Sequence, residues 1–161
     1  MLTYADALEL LALEKEWDTD GLQWKEKKSL PVGFEARSPL SHRGITLQDT
    51  VIIATICQSK IIGLTEKISF SLIHKKTRIL GVDAGCPSTH RNKVGQNMPY
   101  YHQSIGQPHI HLPVEGAPNG YVEPLELQLD TELWQEFLRH GNIKGAPNFE
   151  PPETLKQGRL L

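Results

Sequence analysis

Apolar and polar positions recur with two different periods along this chain, and each period predicts its own elements. From Thr3, whose hydroxyl can cap a first turn beside Asp6, the residues Leu8, Leu11, Ala12 and Lys15 follow helical spacing. Leu10 and Leu13 widen that apolar face, and DTDG after Trp17 predicts a stop and a turn. Between Leu22 and Ser41 the pattern is mixed. Pro31 and Pro39 bracket a short strand, VGFEAR, whose charges predict an edge position. The run ITLQDTVIIATICQSKIIG, from Ile45 to Gly63, is rich in β-branched residues and predicts one or two buried strands, with a buried helix as the alternative. KISFSLIH and TRILGVDAG then predict a hairpin joined near Lys75 and Lys76, with Ile68, Phe70 and Leu72 on one face.

Residues 84–106 carry Gly, Pro, Asn, Ser and Gln at high density and predict a long loop of the kind that often carries function. PHIHLP reads as a short strand, EGAPNG as a turn, and YVEPLELQL as a further strand interrupted by Pro124. A second helix is expected from Thr131 as cap, with Glu132 and Glu136 early, Arg139 and His140 late, and Gly141 just past the end. Leu133, Trp134, Phe137 and Leu138 form its apolar stripe. The summed expectation is an α+β fold: an antiparallel sheet of about five to six strands, a helix near each terminus and a long His-rich loop. One domain over residues 1–145 and a Pro-rich C-terminal tail over 146–161 complete this reading.

Composition changes the picture in one respect. The net charge is only −2, but residues 60–95 hold seven basic against two acidic side chains, while the flanking segments are acidic. A positive stretch that runs into a histidine-rich loop favours an anionic partner, such as RNA or another phosphate-bearing ligand. Cys57 lies in an apolar run and Cys86 opens the loop, so no disulfide framework is expected. No leader-like N-terminus and no long apolar stretch is evident, which predicts a cytoplasmic protein without a membrane span.

Four of the seven histidines, His90, His102, His109 and His111, fall within 22 residues. On a strand, residues two apart share a face, so His109 and His111 should project together while Ile110 and Leu112 anchor the other side. Two imidazoles with ordinary pKa values near neutrality suit cleavage of a phosphodiester, where a base takes one proton and an acid returns another. In this RNase-like reading His102, His109 and His111 transfer protons and Arg91 stabilises charge. Arg78 and Lys93 bind phosphate, Tyr100 and Tyr101 stack a base, and no cofactor is needed. Small nucleases of the toxin type share this size and economy, an analogy of composition rather than motif.

A metal is the alternative. His109-x-His111-x3-Glu115 resembles the first metal-binding motif of the cupin β-barrels. That resemblance implies a divalent transition metal such as iron or manganese held by His109, His111 and Glu115. The later-strand histidine of that pattern is absent, since His140 falls at a predicted helix end. Zinc bound through Cys86-x3-His90 with His109 and His111 offers another acceptable ligand set. A third reading is a non-catalytic binding protein with the His-rich loop as its recognition surface.

Overall fold

The structure, a computed structural model, describes residues 1–28, 33–57 and 67–153. Two α-helices and eleven strands are found among them: α1 (Tyr4–Ala12), β1 (Lys15–Trp17), β2 (Lys25–Lys27), β3 (Gly33–His42), β4 (Ile45–Cys57), β5 (Lys67–His74), β6 (Thr77–Ala84), β7 (His90–Arg91), β8 (Ser104–Ile105), β9 (His109–Val114), β10 (Ala117–Pro124), α2 (Asp130–Gly141) and β11 (Ile143–Lys144). Nine strands form one sheet. Eight follow the order β10-β9-β6-β5-β4-β3-β1-β11, and β2 shares the outer edge of β3 with β1. All neighbours are antiparallel except β1 and β11, which run parallel.

The expected small antiparallel sheet is therefore corrected. The fold is mostly β, a large curled mixed sheet with the form of a half-barrel. The extra strands are short and charged, KEW and KEK, and carry no alternation to read. The parallel strand, Ile143–Lys144, finds its partner at Lys15 and Glu16, far away in sequence. VGFEAR is also not an edge strand. Gly33–Phe34–Glu35 pairs with β4 on one side and β2 on the other, and the strand runs on through Pro39. Proline is tolerated there because the β3–β4 register shifts between Pro39 and Ser41, a bulge at which a ladder donor is dispensable. Of the run from Ile45 to Gly63, residues 45–57 form one long strand, and 58–63 lie outside the described residues, as do Pro31, Val32 and residues 154–161 of the expected tail.

One face of the sheet carries the core. Cross-strand neighbours Ala36, Ala54, Phe70, Val82 and Ile110 form a row across five strands, and Ile52, Leu72 and Leu80 form the next. α2 lays Leu133, Trp134, Phe137 and Leu138 on this face, where Trp134 meets Phe70 edge to face at 4.9 Å. Phe149 joins the cluster at 5.3 Å from Phe70, so part of the Pro-rich segment belongs to the core. α1 starts with a complete capping box between Thr3 and Asp6. It leads directly into β1 at one end of the sheet and packs on β9 and β10 near the other, as a curled sheet requires. Lys15 therefore lies past the helix, on β1, and its buried ammonium donates to the carbonyls of Leu10, Leu11 and Leu13 at the end of α1.

Candidate functional site

The opposite face of the sheet holds the polar chemistry. Strand register aligns Thr55, Ser69, Asp83 and His109 in one row, and Ile53, Ser71, Gly81 and His111 in the next. As the period of two requires, His109 and His111 emerge side by side, with ring centroids 4.9 Å apart at 75°. What they face is Asp83, from the neighbouring strand β6. His111 Nε2 lies 2.8 Å and His109 Nε2 3.4 Å from the same carboxylate oxygen, Oδ2. One donor atom from each of the three residues lies within 4.8 Å of the others.

Asp83 is held from the other side as well. Arg78 donates from Nη1 to Oδ2 (3.1 Å) and from Nη2 to Oδ1 (2.8 Å), and Ser69 Oγ donates to Oδ1 at 2.7 Å. This fork depends on two backbone features. The β5–β6 register shifts between Leu72 and Ile73, so Ile73 pairs with Arg78 and Ile79 is the additional residue on β6. That bulge turns Arg78 onto the face of Asp83 while Ile79 and Leu80 both enter the core. The guanidinium then lies over Gly81, where a Cβ would stand only 2.2 Å from Arg78 Nε.

Burial acts to raise the Asp83 carboxyl, but the facing His109 and His111 rings and the bonds and charge of Arg78 outweigh it and hold the group well below the ordinary carboxylate range. Burial pulls the His111 imidazolium down, more strongly than Asp83 supports it, and the Arg78 charge adds to the fall, so the ring is neutral at neutral pH. Without an ion a neutral His111 can donate its Nε2–H to Asp83, and the Nδ1–H tautomer leaves Nε2 open as a ligand. His109 is different. Its Nδ1 faces the Gly106 carbonyl at 3.1 Å, and a carbonyl can only accept, so Nδ1 carries the proton. Its Nε2 lone pair is then aimed at a carboxylate oxygen, in a side chain only 3% exposed. Two acceptors facing each other in a buried site need a cation between them, either a metal ion or a second proton on the ring.

The loop closes over this site from β10. The Asn92 carboxamide accepts from Val122 N (2.8 Å) and donates to Val122 O and Tyr100 O (2.9 Å each). His90 Nε2 donates to Gly120 O at 3.0 Å. The same anchoring brings the His90 ring to 5.4 Å from His111 and 6.1 Å from His109. β7 and β8 pair within the loop, which is thus less irregular than its composition predicts.

Of the residues picked out from sequence, His109, His111 and Arg78 meet here, with Arg78 bound to Asp83 and not turned to a ligand. His102 does not join them: it stacks on Tyr101 at 3.9 Å, at a positive-φ turn. Arg91 and Lys93 are exposed on the loop, and Tyr100 packs with Val114, Ala117 and Tyr121. Glu115 is exposed in the β9–β10 turn, outside the cluster. Cys86 is a free thiol bonded to Ser88. Asp83, Ser69 and Asn92 were not singled out from the sequence. A lone carboxylate inside an apolar strand was the available signal for Asp83.

No helix among the described residues is long and apolar enough to cross a membrane. Searches of protein-family models, curated proteins and solved structures found no match to this chain.

Proposed function

We propose that this protein is a metal-dependent enzyme that holds a divalent transition-metal ion with Asp83 Oδ2, His109 Nε2 and His111 Nε2. The observation that carries this reading is the His109 lone pair directed at the Asp83 carboxylate, with the other ring nitrogen tied to a backbone carbonyl. Metal-bound histidines characteristically donate their second nitrogen in this way, which fixes the tautomer. The spacing agrees. Ligands about 2.1 Å from one ion stand roughly 3.0 Å apart in octahedral and 3.4 Å in tetrahedral geometry. The contacts of Oδ2 with the two rings are 2.8 and 3.4 Å. Two imidazoles and a carboxylate suit iron, manganese, cobalt, nickel or zinc.

The substrate class follows from charge. Arg78 offsets Asp83, so an ion here would keep its own two positive charges undiminished by the site. That favours an anionic ester, and a phosphodiester, with RNA as first candidate, is the reading we carry forward. The ion would offset charge on such a substrate and acidify a water; the exposed Arg91 and Lys93 on the loop would attract the backbone. A reducing, cytoplasmic setting fits the free thiol of Cys86.

The test is metal content and chelator response together. Protein purified without chelator, or titrated with Zn²⁺, should hold about one equivalent, and His109→Ala and His111→Ala should lose it. Labelled RNA should be cut, with cleavage stopped by chelator and restored by metal. Binding below a tenth of an equivalent overturns the proposal. One observation favours a second reading: the short Asp83–His111 bond orients a neutral imidazole as a base, beside a second ring that a proton would satisfy. Chelator-resistant cleavage that disappears in both histidine variants supports that metal-free reading instead.

A further inference from the structure

The loop that crosses the site brings a third imidazole toward it, and its chemistry is already half determined. His90 Nε2 is occupied by the Gly120 carbonyl at 3.0 Å, so this nitrogen carries the proton and Nδ1 is left with a lone pair. This repeats, with the two nitrogens exchanged, the arrangement at His109, where Nδ1 donates to Gly106 O and Nε2 is left bare. A carbonyl bond on the far nitrogen is the usual support of a metal-bound ring.

Ring spacing carries the argument further. A ring centroid sits about 3.2 Å from an ion bound at roughly 2.1 Å, so two rings on one ion stand between about 4.5 Å at right angles and 6.4 Å when opposed. The three pairs here measure 4.9 Å for His109 and His111, 5.4 Å for His90 and His111, and 6.1 Å for His90 and His109. All fall inside that range. The rings meet edge to face, at 67° to 76°, and not in stacks. His90 is not among the residues whose donor atoms all lie within 4.8 Å of one another, so its ring has to swing inward to share an ion with Asp83, His109 and His111. The backbone that bears it is fixed by pairing with Ile105 and, two residues on, by the fully buried Asn92.

Resting on the metal reading above, we infer that His90 is the fourth protein ligand and binds the ion through Nδ1. The coordination set is then three imidazoles and one carboxylate, with both β-sheet and loop contributing. The 85–108 loop is thereby part of the metal centre and not a cover laid over it.

The experiment uses the full chain loaded with Zn²⁺ and long-range ¹H–¹⁵N spectra of the imidazoles, which report the protonated and the metal-bound nitrogen of each ring. The expected pattern is Nδ1-bound and Nε2-protonated for His90, with the reverse for His109. His90→Ala should weaken Zn²⁺ binding on the order of a hundredfold without abolishing it. A wild-type protein that takes up zinc on His109 and His111 while His90 keeps a metal-free spectrum overturns this inference alone. A wild-type protein that takes up no zinc overturns the metal reading with it. The wild-type spectrum decides the matter even where the variant fails to fold.

Discussion

Gly81 decides whether Arg78 can reach Asp83, because any side chain there would occupy the space of the guanidinium. Gly81→Ala should displace Arg78 and leave the half-buried carboxylate short of its charged partner, at a cost of about 3 kcal/mol. The sign of its pH dependence follows from the depressed Asp83 carboxyl. A carboxylate held below its unfolded value stabilises the fold above that value and loses this effect as pH falls. The deficit of the variant in urea unfolding should therefore be full at neutral pH and narrow below about pH 4. A deficit that stays constant to low pH would show that Arg78 does not act through Asp83. At this scale the sequence was legible wherever chemistry was local. The period of two placed His109 and His111 on one face, but nothing local tied either to Asp83, which lies 26 and 28 residues away. Arg78 read as a free cation because the bulge that turns it onto Asp83 is set by pairing with β5.

Elements were legible in proportion to their length and alternation. The β5–β6 hairpin turns at Lys75 and Lys76 as its pattern implied, and α1 begins at its capping box. The three-residue strands were not legible, since their stability comes from neighbours and not from their own side chains. Lys15 is the sharpest instance. Its helical spacing suggested a place on α1, yet it turns back from β1 to fill the end of that helix, where cations are favoured. Burial pushes its ammonium down to about 8. The folded chain thus holds fewer protons than the unfolded chain between pH 8 and about 10.4, and stability from this residue rises with pH across that window. Lys15→Met should remove a rise of at most about 3 kcal/mol from the stability–pH curve. Parallel curves for variant and wild type between pH 8 and 10 would refute this.

For the whole molecule, the sheet has one face committed to the core and the other to polar rows, with α2 and the aromatic cluster on the first and the loop on the second. The size of that sheet escaped sequence reading because its closing partner, β11, follows α2 at the far end of the fold. β10 ends the strand order on the other side, and the backbone of Val122 on that strand is engaged by Asn92. A terminal strand with bare amides and carbonyls is a template on which further copies can assemble. The Asn92 carboxamide, with the His90 bond to Gly120 O, does the work of a missing neighbour, so the boundary between a discrete particle and a growing stack rests on these few loop contacts. Deamidation, mimicked by Asn92→Asp, turns the amide donor into an acceptor facing two carbonyls, and sedimentation velocity should then reveal larger species absent from the parent. Unchanged sedimentation would mean that the rim of the sheet is blunted by something else.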